Sequence, residues 1–308
     1  MKSKKIFFFL IAYFSFVAQL WARGHFFIIG TGPAGPELAT LQALKTIKQM
    51  DFIIADKRHI KLFAEYIGNK PILFDDPWKG VFTYKGKSYR ELTEEEREKF
   101  KKERIRIRNE RIRKIKKLLE QGKDVGLLIW GDPCIYGPGH WYAEQFDPED
   151  VVIIPGMGCV SAALAAVKKS AIAAYDVRYL IQTSPVSLMK EGKIDKEVLR
   201  DIARHSCSMV FYMALWNAKE LFSALKEILP PDTPCAVVYW AGYPNLQYIL
   251  RGTVSDMGEK ISKQKEKFMG LVLVGKFLKG KPFTEGLNKA IEDSVRQPQS
   301  LTYFTLSH

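Results

Sequence analysis

His25-Phe26-Phe27-Ile28-Ile29 runs directly into Gly30-Thr31-Gly32-Pro33-Ala34-Gly35-Pro36, a helix-like stretch covers Glu37 to Met50, and a second apolar run, Asp51 to Ala55, follows at once. Apolar run, glycine-rich turn, helix and apolar run make a βαβ unit, which requires a largely parallel sheet. Its right-handed crossover puts the first turn at the C-terminal edge of that sheet, where ligands of open α/β folds bind. By itself a glycine turn states only that backbone approaches something closely or bends tightly. Gly30-x-Gly32 lacks the third glycine of a dinucleotide fingerprint, no strand-end acid serves as a ribose ligand, and no Walker lysine follows, which counts against NAD and ATP.

Outward from this unit, Asp75 to Tyr89 mixes Gly, Pro, Lys and aromatics and reads as a loop or small hairpin. Thr93 then opens a long helix, with Glu94, Glu95 and Glu96 in its first turn and Lys114, Lys116 and Lys117 near its end, both complementing the helix dipole. Ile105, Ile112, Ile115 and Leu119 share one stripe that can pack on the sheet, and the helix should stop near Gly122. Val125 to Trp130 is a fully apolar strand that opens into Gly131-Asp132-Pro133. The polar segment 146–150 reads as a linker between two lobes, followed by a strand at Val151 to Ile154, the turn Pro155 to Gly158 and an alanine-rich helix from Ser161 to Lys169. Further strands are expected at Met209 to Met213, Ala236 to Trp240 and Leu271 to Lys276, and the segment 248–253 suggests an antiparallel element, so the second sheet should be mixed. The expected divisions are 1–23 as a leader, 24–147 and 148–290 as two α/β lobes, and 291–308 as a loosely held tail.

With 47% hydrophobic and 12% aromatic residues in 308, the chain has ample material for a core. The four cysteines, Cys134, Cys159, Cys207 and Cys235, stand singly, with neither a disulfide framework nor a zinc pattern, and read as buried thiols. A formal net charge of +13 favours polyanionic partners without choosing among nucleic acid, anionic lipid and a polycarboxylate small molecule. Lys2, Lys4 and Lys5 precede an uncharged run from Ile6 to Ala22, the build of a signal peptide or an uncleaved anchor; the alternative is a leader added by an upstream start to a cytoplasmic enzyme.

The order of the turns narrows the reading. Phe26 to Thr40 resembles the opening motif of the tetrapyrrole methylases, enzymes that methylate uroporphyrinogen and the precorrins. Trp130-Gly131-Asp132-Pro133-Cys134-Ile135-Tyr136-Gly137-Pro138-Gly139 resembles their GGDP loop, and Ile154-Pro155-Gly156-Met157-Gly158 their PG turn. Val210-Phe211-Tyr212-Met213 is similar to their strand ending in methionine, and Ala241 to Gln247 with Arg251-Gly252-Thr253 to their closing motif. The resemblance spans residues 25 to about 278 and implies a two-lobed α/β fold, largely parallel in the N-terminal sheet and mixed in the C-terminal one, with S-adenosylmethionine in the cleft between the lobes of a homodimeric methyltransferase. Carried over by position, it implies cofactor contacts at Gly32, Pro33, Trp130, Gly131, Asp132, Ile135, Gly158, Cys159, Met213 and Gly242, and a small polycarboxylate substrate rather than nucleic acid.

Departures cluster in the same loops. Ala34 and Gly35 stand where Gly and Asp are usual, Trp130 replaces the first glycine of the GGD triplet, and Pro138 stands where Arg is common. These changes leave open a methyl acceptor other than a tetrapyrrole, such as a peptide, or a non-catalytic binding protein. A sulfonium methyl is already activated, so positioning and water exclusion suffice and no metal is required. No catalytic base is assigned; His140 and Tyr136 read equally as packed or solvated residues.

Overall fold

The computed structural model describes residues 23–172, 177–281, 284, 285, 287–289, 291 and 292. The leader up to Ala22 and the tail from 293 lie outside the described residues, so the expectations for them stay expectations. The chain divides between Gly158 and Cys159 into two compact units.

In the first unit, β1 (Phe26–Gly30), β2 (Phe52–Ile54), β3 (Ile72–Phe74), β6 (Val125–Ile129) and β7 (Val151–Ile154) form a sheet in the order β3-β2-β6-β1-β7. Every pairing in it is parallel. β7 was expected to open the second lobe at 148; instead it pairs with β1 and completes the first sheet. The expected linker is likewise part of the core. Phe146 stacks on Phe26 with ring centroids 4.8 Å apart, and the buried carboxylate of Asp150 pairs with Arg23 at 2.9 Å.

Helices α1 (Leu41–Gln49), α2 (Lys57–Leu62), α3 (Ala64–Ile67), α4 (Glu94–Leu119) and α5 (His140–Ala143) accompany this sheet. α1 begins later than the expected Glu37, because Pro36–Leu38 forms a 3-10 turn and Thr40 caps the helix by accepting the Ala43 amide at 3.0 Å. α4 starts as expected at a capping box, Thr93 accepting the Glu96 amide and Glu96 accepting the Thr93 amide. Its 26 residues extend about 39 Å, whereas the five-residue strands extend about 17 Å. Only the C-terminal half therefore covers the sheet, through Ile112, Ile115 and Leu119 against Phe26, Ile28, Val125 and Leu127. Ile105, expected on the same buried stripe, is 44% exposed. Nearer the N-terminus, Phe100 meets Tyr84 of the small hairpin β4 (Thr83–Tyr84) and β5 (Lys87–Ser88), which the loop reading anticipated, and Tyr89 of the 3-10 turn just after it.

The second unit carries β8 (Tyr179–Thr183), β11 (Cys207–Phe211), β12 (Pro234–Tyr239), β13 (Tyr248–Thr253) and β14 (Gly270–Val274) in the order β13-β12-β14-β11-β8, with a two-residue ladder of β9 (Met189–Lys190) and β10 (Lys193–Ile194) beside it. β8 and β11 are parallel and the other neighbours antiparallel, so this sheet is mixed as expected. α6 (Cys159–Val167) covers one face through Val160, Ala163 and Val167; α8 (Ala218–Lys226) and α9 (Met257–Ser262) cover the other, while α7 (Lys196–Ala203) adds Leu199 to that second core. β3, β8 and α7 had no sequence expectation.

Candidate cofactor-binding site

Because the first sheet is wholly parallel, the segments after β1, β6 and β7 leave from one edge. There the loops close on one another. Gly32 and Gly131 form an isolated antiparallel bridge, the Gly131 amide donating to the Gly32 carbonyl at 2.8 Å. Both glycines need the left-handed region, at φ +79° and +74°. A Cβ on Gly30 would lie 2.6 Å from the Gly156 amide nitrogen, so the turn after β7 packs directly on the end of β1. By contrast, a Cβ on Gly131 or Gly158 would meet no atom within 4 Å. These two glycines border open space, as expected where a ligand must approach backbone.

Of the residues carried over from the resemblance, Gly32, Pro33, Trp130, Gly131, Asp132, Ile135 and Gly158 lie on these three segments of the first unit. Gly32 and Pro33 are buried, and Ile135 is 48% exposed beside Tyr136. Asp132 caps its own turn, Oδ1 accepting the Cys134 amide at 2.8 Å. Cys159 opens α6 of the second unit; burial raises its thiol pKa to about 11, so the sulfur stays protonated near neutral pH. Met213 and Gly242 follow β11 and β12. Both strands are antiparallel to β14, so their C-terminal ends share one edge, where Tyr239 faces Gly270 and Tyr248. The backbone there is unusual: Met213 and Trp240 hold φ of +52° and +51°, and Gly242 holds +87°. Non-glycine residues in that region carry strain that surrounding structure must hold. The Trp240 amide donating to Met269 O at 3.0 Å, and the Gly242 amide to Gln247 Oε1 at 2.9 Å, supply some of that hold.

A buried polar cluster behind the first-unit loops went unread in the sequence. Asp56 caps α2, its Oδ1 accepting the Arg58 and His59 amides, each at 2.9 Å. Its Oδ2 accepts His59 Nδ1 at 3.0 Å and the Trp130 indole N–H at 2.8 Å. His59 Nε2 lies 3.0 Å from Thr31 Oγ1, and the His59 and Trp130 rings stack at 3.6 Å. Burial opposes the charge on Asp56, yet the His59 contacts and the Trp130 donor outweigh it and hold the carboxyl well below its usual range. For His59 burial dominates and lowers the pKa against the pull of Asp56. With Nδ1–H on Asp56 a neutral ring can only accept at Nε2, where the single Thr31 hydroxyl proton is shared with the Ile129 carbonyl, also 3.0 Å from Oγ1. Trp130 thus turns inward to this cluster rather than merely closing a strand. A sequence signal existed in an acid three residues before a histidine just after a strand, but nothing in it named the partners.

Elsewhere on the first unit, a cavity of about 390 Å³ at the end of β3 is lined by Phe74, Asp75, Asp76, Lys79 and Arg111. Arg111 is already engaged there by the carbonyls of Asp76 and Pro77 and the Tyr142 hydroxyl. Among the described residues no cluster of three His, Cys, Asp or Glu side chains could hold a metal.

Comparison with known proteins gives this arrangement a family. The family model described as Tetrapyrrole (Corrin/Porphyrin) Methylases matches residues 25–258. The chain belongs to that family. It is an S-adenosylmethionine-dependent methyltransferase acting on a tetrapyrrole. It is 30% identical over 267 residues to a cobalt-precorrin-4 C(11)-methyltransferase of Methanocaldococcus jannaschii, covering 82% of this chain and 88% of the relative. To the uroporphyrinogen-III C-methyltransferase of the same organism it is 25% identical, covering 82% and 96%. In fold it is similar to a solved cobalt precorrin-4 methyltransferase, with a TM-score of 0.63 at 22% identity over 83% of this chain and 96% of that one. A uroporphyrin-III C-methyltransferase of Thermus thermophilus, solved with S-adenosyl homocysteine, gives 0.55 at 18% identity over 83% and 99%.

Proposed function

We propose that this tetrapyrrole methylase acts on a corrin precursor of the precorrin-4 kind rather than on uroporphyrinogen III. The observation that carries this reading is the 30% identity to the cobalt-precorrin-4 enzyme of Methanocaldococcus jannaschii, against 25% to the uroporphyrinogen-III enzyme of the same organism. The bridge between Gly32 and Gly131 shapes the loop, the open space beside Gly131 and Gly158 is suited to close approach of S-adenosylmethionine to the backbone, and the exposed Ile135 is suited to pack on its apolar part. When bound, the cofactor supplies a methyl group already activated by its sulfonium charge. The task left to the protein is to hold an electron-rich ring carbon in line and keep water out. The proton lost afterwards passes to a weak base or to water, and the Asp56 carboxylate behind the loops is already occupied by four donors. We further propose a homodimer, and delivery to a membrane or across it by the leader Ile6 to Ala22; sedimentation and cell fractionation test these. Incubation of the protein with methyl-labelled S-adenosylmethionine and a panel of tetrapyrroles tests the substrate. Label should enter cobalt-precorrin-4, and transfer to uroporphyrinogen III alone would overturn the assignment.

A further inference from the structure

We propose that His59 and Trp130 are positioning residues, a brace that holds the two glycine loops of the first unit in ligand-ready geometry before S-adenosylmethionine arrives; this rests on the cofactor reading of those loops. The strand order is what assembles the brace. β2, β6 and β1 are neighbours, so Asp56, Trp130 and Thr31 leave three adjacent strand ends in that order. From α2, His59 reaches across the end of β6 to Thr31, binding at both ring nitrogens and stacking on the indole with 22° between the ring planes. Phe63 flanks both rings, with centroids 5.9 Å from His59 and 6.4 Å from Trp130, and the Arg58 guanidinium lies 5.4 Å from the Trp130 ring.

The next residue on each loop makes the point of the brace. Thr31 precedes Gly32 and Trp130 precedes Gly131, the two left-handed glycines that bridge through their backbone. Glycine has more conformations to lose than any other residue, so a loop built on it binds weakly unless something else has already fixed it. The side-chain contacts at 31 and 130 fix the backbone at 32 and 131. Thr31 and His59 are 0% and 1% exposed, so neither touches a ligand and both act through the loops.

Calorimetric titration of S-adenosylhomocysteine into the full chain, together with amide hydrogen exchange in the ligand-free protein, tests the brace. His59→Leu removes both imidazole bonds; Trp130→Phe keeps a stacked ring and removes the indole donor. Each should weaken binding about tenfold, equivalent to about 1.4 kcal/mol, and the double variant should be little worse than the weaker single, as for residues acting as one unit. The Gly131 amide should exchange faster in both variants while that of Leu127, inside β6, does not. His59→Gln, which retains an amide for Thr31, should recover part of the affinity. If His59→Leu fails to fold, Trp130→Phe carries the test. Folded variants with unchanged affinity, additive losses, or exchange that quickens evenly through β6 would overturn the brace alone. A wild-type protein that binds no S-adenosylhomocysteine would overturn the cofactor reading and the brace with it.

Discussion

His59 joins stability to pH through a sign that its burial dictates. Its folded pKa lies below the ordinary value of 6.5, so the unfolded chain takes up the proton first and stability falls as pH drops below that value. Asp56, held low, adds a loss that begins only near the ordinary carboxylate range and deepens below it. The melting temperature should therefore decline from about pH 6.5 downward, and His59→Phe should remove the part of that decline above the carboxylate range; parallel profiles for the two proteins would refute this. Gly131 supports a second expectation. Any side chain there is strained by φ +74° and projects into open space, so Gly131→Trp should abolish detectable cofactor binding in a protein that still folds. Because Asp132 caps the Cys134 amide, Asp132→Ala should weaken binding through the loop, and Asp132→Asn, which keeps an acceptor, should restore it. Calorimetry on the three variants decides both points.

Among the elements, α4 shows how charge in a sequence is used up by structure. Ten Lys or Arg occupy positions 101–117, a density that invites an acidic ligand. Lys101 pairs with Glu98, and Arg106 with Glu103 and Glu110. Arg104 and Arg108 lie over the Trp141 ring, Lys116 over Phe146, and Arg111 on carbonyls. Lys114 pairs with Glu110 and lies over Phe74, which leaves Lys102, Arg113 and Lys117 on the outer side. The last of these sits beside the helix end that accepts the Gly24 amide, at the edge of the sheet opposite the cofactor loops. Changing all three to Gln should leave cofactor and acceptor affinities within about a factor of two, as expected of solvated surface charge; a tenfold loss with a flattened salt dependence would restore the acidic-ligand role. Thr93→Ala, by contrast, should cost about 1 kcal/mol in chemical unfolding through loss of the capping box.

For the whole molecule, the first described residues are tied into the first unit. The Gly24 amide binds Leu119 O at 2.9 Å and Arg23 neutralises the buried Asp150. A chain beginning at Arg23 should fold and bind S-adenosylhomocysteine as the full chain does, whereas one beginning at His25 should melt several degrees lower, because removing Arg23 leaves a buried carboxylate unpaired. Equal melting temperatures for the two truncated proteins would show that neither contact matters.

The βαβ opening, α4 with both its ends, the mixed second sheet and the glycine turns were legible because each rests on local chemistry: a period of two or 3.6, a capping box, a glycine forced to positive φ. The motif order that led to the family is likewise a property of the chain read in line. Three things were decided only in three dimensions. β7 joined the first sheet because an apolar strand takes whichever neighbour completes its ladder, and sequence adjacency to the second lobe has no bearing on that. Ile105 stayed exposed because helix and sheet differ in length, which a periodicity does not record. The Asp56–His59–Trp130–Thr31 cluster brings an indole to a carboxylate 74 positions away, a contact set by the strand order β2-β6-β1; local sequence carries the side chains, but only the crossover topology makes them neighbours.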